Sequence, residues 1–240
     1  MSRTAGHVVV SLALLLVTLL SATTAEAGVN LVDSDKFKLE LGGYVQSVSG
    51  LQELTYETPA IVADRTGLNS EVLRLELGGQ ITRDITFEFH DRLYWSIQAP
   101  PSQATTTGIF GIGVSTPSDR TVDTSTDIID ENGIYLQNDI DRAAVRIYTS
   151  AADITVGRQA ITWGKSLVFP VADLWSKFSP YELDQSQKRG IDALRVLAYP
   201  TLDLELDFVV ADRGSLEDLS GGARAGLTLS KVDLYLAAGK

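Results

Sequence analysis

Alternation of apolar and polar residues with a period of two is the main pattern along this chain. It is clearest in residues 37–48, 71–81 and 85–95, where aliphatic or aromatic side chains occupy one parity and polar or charged side chains the other. Such a period places one set on each face of a β-strand. We therefore predict nine strands, which cover residues 37–48, 71–81, 85–95, 134–149, 154–162, 190–199, 202–210, 222–229 and 232–239.

The connections between these strands alternate between short and long. The short ones each contain an Asp and cover residues 82–84, 150–153, 199–203 and 230–233. The long ones cover residues 49–70, 96–133, 163–189 and roughly 211–221. Short periplasmic turns and long external loops are typical of outer-membrane β-barrels, whereas a soluble β-sandwich, which also alternates, has no reason to keep this rhythm. The prediction is an all-β, antiparallel up-and-down transmembrane β-barrel.

Many of the polar positions in the alternating strands are occupied by ionisable residues, and this supports the same fold. Charged side chains beside an aqueous lumen, with aliphatic side chains against lipid, are the pattern of a membrane barrel. The candidate pore-lining residues are Lys38, Glu40, Tyr44, Arg74, Glu76, Glu88, His90, Arg92, Arg146, Tyr148, Arg195, Glu205, Asp207 and Arg224.

The first 27 residues have the features of a cleavable signal peptide. Arg3 supplies a positive charge, residues 8–20 are apolar, and Ala25-Glu26-Ala27 is an A-x-A cleavage site. An uncleaved anchor is the alternative. No later stretch approaches the ~18–20 apolar residues of a membrane helix, so residues 28–240 must cross a membrane as strands if they cross it at all.

Composition excludes several classes of partner and cofactor. The chain has no Cys, which removes disulfides and thiolate metal sites. The net charge is −11 and there is no basic patch, which argues against nucleic acid. We expect no cofactor and no metal; the expected partners are outer-membrane lipid and small hydrophilic solutes. Self-association into a homo-oligomer is compatible with the class, but no residue pattern requires it.

The long connection 163–189 is rich in aromatic residues for a loop. Val171, Leu174, Trp175 and Phe178 have the i, i+3, i+4, i+7 spacing of one helical face, and Pro180 ends the pattern. An amphipathic helix on a barrel loop must bury its apolar side. It would either fold inward and narrow the channel, as a constriction loop, or cap the rim from outside with its aromatics at the interface; both stay open.

A motif around this loop resembles porin-type barrels of Gram-negative bacteria. Residues 156–164 read VGRQAITWG, Asp173 and Pro180 follow, and residues 190–195 read GIDALR. Alginate-export-like and phosphate-selective-porin-like barrels carry a similar G-R-Q-x-x-x-W-G strand end, an Asp- and Pro-bearing loop and a G-x-D-x-x-R strand. The resemblance implies an outer-membrane location and passive passage of a small solute, anionic or carbohydrate-like. Here acidic and basic lumen candidates are balanced, which departs from an anion-selective pattern.

Three features do not fit the simple alternation. Arg158 shares the parity of Ile154 and Val156, so it is nominally lipid-facing and is not assigned to the lumen. Asp139 and Asp141 disturb the strand 134–149, which a β-bulge could absorb.

The connection 96–133 is expected to be an exposed, mobile loop. Its acidic residues could collect Ca²⁺ but match no calcium-loop spacing, so a solvated acidic loop is expected. They are Asp119, Asp123, Asp127, Asp130 and Glu131.

The expected function is an outer-membrane pore for passive diffusion of small hydrophilic solutes. The alternatives are a non-conducting structural or receptor barrel and, less favoured, an outer-membrane hydrolase. A hydrolase would need a base such as His90, but no G-x-S-x-G, H-E-x-x-H or P-loop accompanies it. We expect no enzymatic activity.

The predicted strand count also bears on the extent of the barrel. With a periplasmic N-terminus the ninth strand would run outward, whereas bacterial single-chain barrels have even strand numbers. We therefore expect residues 28–240 to be the N-terminal portion of a longer barrel or the product of a truncated reading frame, with residues 37–48 and 232–239 as free edges.

Overall fold

The described part of the chain forms one antiparallel sheet. The computed structural model describes residues 18–53, 65–99, 120–163, 175, 187–212, 214, 218–230 and 232–240. These residues contain eleven strands and no α-helix. The strands are β1 (Thr18–Asp33), β2 (Lys38–Glu53), β3 (Arg65–Thr82), β4 (Ile85–Ala99), β5 (Thr126–Glu131), β6 (Ile134–Tyr148), β7 (Ala152–Gln159), β8 (Ile191–Thr201), β9 (Leu204–Ala211), β10 (Ser220–Leu229) and β11 (Val232–Gly239).

The strands follow one another in an up-and-down order. Each main-path strand pairs with its neighbours in sequence, and β5 is the exception because it folds back only onto β6. In the described residues β1 and β11 are the two ends of the path and do not pair with each other, so the sheet is not closed. The predicted all-β, antiparallel, up-and-down architecture is confirmed. None of the described residues lies in a helix long and apolar enough to cross a membrane.

All nine predicted strands are present, and two further strands were missed. β1 covers part of the predicted signal peptide and pairs along β2 from Asp33↔Lys38 to Thr18↔Leu51. The prediction that residues 37–48 form a free edge is therefore wrong, because β1 satisfies that edge with its own backbone. The other predicted edge, β11, pairs only with β10 among the described residues. Cleavage after Ala27 stays a prediction.

The second missed strand lies in the region predicted as a mobile loop. β4 runs on to Ala99, and residues 126–131 form β5, which pairs with β6. A tight turn joins β5 to β6 through Asn132 and Gly133, whose φ angles are 53° and 78°. Asn-Gly is the residue pair that such hairpin turns require. The prediction that all of residues 96–133 form a loop is therefore wrong.

Two irregularities position the residues discussed below. The pairing of β4 with β6 shifts between His90↔Arg142 and Asp91↔Ile140, which leaves Asp141 as the extra residue of the predicted bulge. β7 ends at Gln159 rather than at the predicted residue 162. The chain leaves the sheet there because Ile161 and Trp163 pack into a buried apolar cluster, whose other members are Trp175, Ile191, Ala193, Val209 and Ala211.

The two faces of the sheet differ in chemistry. Registers place Leu41, Leu75 and Phe89 on one face, which we call the apolar face. They place Glu76, His90 and Arg92 on the other, which we call the charged face. The buried apolar cluster packs on the charged face, since Val209 and Ala211 share the parity of Asp207 in β9.

Candidate functional site

Burial is inverted relative to that of a water-soluble sheet protein. On the apolar face, Leu75 is 47% exposed and Val156 is 53% exposed. On the charged face, Arg74 is 1% exposed and Asp207 is fully buried. Soluble proteins bury apolar side chains and almost never bury Arg or Asp unless they are paired. The sheet thus presents its apolar residues outward and keeps ionised groups covered.

All fourteen predicted pore-lining residues lie on the charged face, and their exposure changes along the strands. Four near the short turns are exposed: Lys38, Glu40, Arg146 and Tyr148. Seven are half-buried: Tyr44, Glu76, Glu88, His90, Arg195, Glu205 and Arg224. The remaining three are buried: Arg74, Arg92 and Asp207. The charged face is therefore open at the end with the short turns and covered further along.

The most densely charged region is an arginine–aspartate cluster of Arg74, Arg120, Arg142, Asp139 and Asp141. One oxygen of Asp141, Oδ2, accepts hydrogen bonds from Arg74 Nη2 and Arg142 Nη1, each at 2.7 Å. Its other oxygen, Oδ1, lies 3.5 Å from Arg120 Nη2. Arg120 Nη1 also donates to Asp139 Oδ1 at 2.7 Å. The β6 bulge makes this cluster possible, because it turns both Asp141 and Arg142 to the charged face.

His90 lies beside this cluster and contacts both a cation and an anion. Its Nδ1 is 3.1 Å from Arg74 Nη2 and 3.8 Å from Glu76 Oε1. Arg74 Nε donates to Glu76 Oε1 at 3.0 Å, which completes a three-residue contact. One of the two ring nitrogens of His90 is therefore directed at the guanidinium of Arg74.

A second cluster surrounds Asp207 in β9. Its carboxylate accepts hydrogen bonds from Arg195 Nε at 2.9 Å and from Arg195 Nη2 at 2.7 Å, a bidentate arrangement. Trp163 donates its indole N–H to Asp207 Oδ2 at 2.8 Å. Arg224 pairs with Glu205 and lies 3.7 Å from Asp207. The carboxylate is thus balanced by two cations and one neutral donor.

Part of the long aromatic connection packs on this same face. Trp163 and Trp175 meet edge to face with ring centroids 4.7 Å apart. Trp175 donates its indole N–H to Ser220 Oγ at 2.8 Å. Of the four predicted constriction residues, only Trp175 is described, and it is buried on the charged face; Val171, Leu174 and Phe178, with the predicted helix, lie outside the described residues.

Several residues of these clusters were not among the predicted site residues. Asp139 and Asp141 had been noted only as breaks in the alternation, which is the signal that could have identified them. Arg142 directly follows Asp141, at the point where the regular alternation of β6 begins, so the same break in the pattern could have identified it. Arg120 lies in a stretch without periodicity, so no local pattern indicates that its side chain is buried.

The register places Arg158 on the apolar face of the sheet, as its parity predicts. Arg158 pairs across from Ala143 and Asp192, on the parity of Val156 and Leu194. Yet it is only 4% exposed, because its guanidinium is paired with Asp192 and covered by residues 120–124. An ion pair therefore lies on the apolar face and is shielded there.

The acidic residues of the segment before β6 make local contacts. Asp123 accepts hydrogen bonds from the hydroxyl and the backbone N–H of Ser125, which lower the pKa of its carboxyl. Asp127 accepts from the Tyr135 hydroxyl at 2.6 Å and from the Gln137 amide at 2.9 Å. Among the described residues no group of three or more His, Asp or Glu is placed to hold a metal ion.

Comparisons of the chain with protein-family models, with curated proteins and with solved structures found no match.

Proposed function

We propose that this chain forms the wall of a transmembrane β-barrel in the outer membrane of a Gram-negative bacterium, and that the barrel passes small hydrophilic solutes. The observation that carries the proposal is the inverted burial of the sheet. Exposed aliphatic side chains in such numbers are costly in water but favourable against acyl chains. The opposite face carries charged side chains, as the lumen side of a membrane barrel does.

The height of the apolar face agrees with a membrane location. Along β3 the apolar parity runs from Leu73 to Ile81 and then meets the short turn. This run is nine residues long, which matches the ~9–11 residues of a strand that crosses a membrane at a tilt of about 45°. On the same parity Glu71 and Asn69 follow beyond Leu73, where headgroups would begin.

The charged face supports a path that is wide at one end and narrowed at the other. Lys38, Glu40 and Arg146 are exposed near the short turns, whereas Arg74 and Asp207 are covered. Trp163 and Trp175 lie on the narrowed side, in contact with β9 and β10. We propose that this aromatic pair belongs to an inward-folded constriction, which limits passage to small solutes.

A non-conducting structural or receptor barrel is the second candidate. The complete burial of Arg74 and Asp207 favours it, because residues that line an open channel should contact water. His90 gives no comparable support to a hydrolase, since its Nδ1 contacts Arg74 and no G-x-S-x-G or H-E-x-x-H motif accompanies it.

Reconstitution separates these functions. The purified protein, refolded in detergent and checked for β-structure by circular dichroism, should co-float with liposomes and produce discrete conductance steps in a planar bilayer. Flotation without conductance would favour the receptor barrel. A folded protein that stays out of the liposome fraction would contradict the membrane location itself.

A further inference from the structure

The sheet contains a seam where β7 stops. Pairing between β6 and β7 starts at Ala143↔Arg158, although β6 itself extends back to Ile134. On the other side of β7, pairing with β8 ends at Gln159↔Ile191. Beyond this point the backbone groups of residues 139–142 and 188–190 face a gap and must find other partners.

Residues 120–124, which we call the strap, lie in this gap. From the charged face, Arg120 Nε donates to the carbonyl of Gly190 at 3.1 Å, and its Nη1 binds Asp139. The Thr124 hydroxyl lies 3.3 Å from the carbonyl of Ile140. One segment therefore satisfies backbone carbonyls on both sides of the seam.

The strap is also held from the apolar face. Asp192 Oδ2 accepts the backbone N–H groups of Thr121 at 3.1 Å and Val122 at 3.3 Å. Arg158 donates to the carbonyl of Val122 and to the hydroxyl of Thr124.

Arg158 has no unused donor in this arrangement. Its Nε and Nη2 bind the two oxygens of Asp192 at 2.9 and 3.0 Å, and its Nη1 also donates to the carbonyl of Ile140 at 2.8 Å. With the bonds to Val122 and Thr124, all five N–H groups of the guanidinium are satisfied. A charged pair on a mainly apolar face is tolerated when its charges and donors are satisfied in this way.

We propose that the strap is a two-sided seal across the seam between β6 and β8, held by Arg158 and Asp192 on the apolar face and by Arg120 with Asp139 on the charged face. The seal separates an apolar groove of about 510 Å³, walled by Val156 and Leu194, from the arginine–aspartate cluster behind it. This inference rests on the geometry of the seam and does not depend on whether the barrel conducts.

Hydrogen–deuterium exchange of the detergent-folded protein tests the seal. Replacing both charges, R158Q together with D192N, removes the outer ion pair while keeping an uncharged polar side chain at each position. The peptide that contains the Thr121 and Val122 amides should then exchange at least tenfold faster, because local opening becomes easier. A peptide from residues 72–82 of β3 should exchange at the wild-type rate.

A matched control and a milder variant keep the test interpretable. The control, E205Q with R224Q, neutralises an ion pair in β9 and β10 that does not touch the strap, and strap exchange should stay unchanged. The milder variant, T124V, removes one hydroxyl and should accelerate strap exchange about threefold. Wild-type strap exchange in both R158Q/D192N and T124V would overturn the proposal, and so would equal acceleration of the strap and β3 peptides.

Discussion

Trp163 donates its indole N–H to the carboxylate of Asp207 over 2.8 Å, and Asp207 has no solvent exposure. Trp163 follows the end of β7 at Gln159, and Asp207 lies in the middle of β9. The bond therefore links the connection after β7 to a strand two places further along the sheet. The bond holds Trp163 on the charged face beyond the end of β7.

The first prediction concerns this bond. Trp163→Phe keeps a ring in the apolar cluster but leaves a buried carboxylate with one donor fewer. We expect the free energy of unfolding to fall by about 1.5–3 kcal/mol, the range for a hydrogen bond to a charged group. Denaturant unfolding in detergent measures it. The matched control is Trp95→Phe on the apolar face, and an equal loss in both variants would contradict a specific role for the bond.

The second prediction concerns the space that the two indoles occupy. A Cβ at Gly222 would lie 2.8 Å from Trp175 Cη2 and 3.0 Å from Trp163 Cη2, whereas one at Gly221 would meet its nearest atom, the Val209 carbonyl oxygen, at 3.5 Å. Gly222→Ala should therefore displace the pair and destabilise the fold by about 1–3 kcal/mol. Near-ultraviolet circular dichroism should lose the signal of the packed indoles. Gly221→Ala should leave it unchanged; the same loss there would refute the explanation.

The sequence predicts those features of this structure that depend on neighbouring residues within one strand, and it does not predict contacts between distant strands. The period of two placed Arg74, His90 and Asp207 on the charged face correctly, because strand parity depends only on neighbouring residues. The alternation could not indicate that Arg74 contacts Asp141. These two residues are 67 positions apart in sequence, and the pairing of β3, β4 and β6 brings them together.

Other features escaped prediction because nonlocal contacts determine them. Arg120 is buried by contacts with Gly190 and Asp139, and neither is visible in its local sequence. β1 is held by its pairing with β2 rather than by an alternating pattern. Its apolar residues have the composition of a signal peptide, so the composition predicts a signal peptide instead of a strand.

The third prediction concerns the shared counter-ion of the arginine–aspartate cluster. Asp141→Asn removes the carboxylate that Arg74 and Arg142 share, so that, among the described residues, Arg74 keeps only its ion pair with Glu76. Removing one member of a buried ion pair costs about 3–5 kcal/mol because the remaining charges are uncompensated. The midpoint of denaturant unfolding should fall accordingly.

Asp91→Asn is the matched control for this prediction. Asp91 is only half-buried, lies on the apolar face, and accepts hydrogen bonds from the neutral amide of Asn138 at 3.0 Å. We expect a loss below about 1 kcal/mol, since the amide partner and its hydrogen bond can largely persist. Comparable losses in the two variants would show that Asp141 does not act as a shared counter-ion.

The last prediction tests the proposed channel at its open end. Arg146 is exposed on the charged face, donates to Thr155 Oγ1 at 3.2 Å and borders the same hollow as Glu88. Arg146→Ala removes one positive charge from the hollow that Glu88 also lines, so the local concentration of cations should rise. Reversal potentials in a salt gradient should shift the cation-to-anion permeability ratio upward by roughly twofold or more. Arg83→Ala, in the exposed turn after β3, is the control. Unchanged selectivity in a conducting Arg146→Ala variant would place Arg146 outside the permeation path.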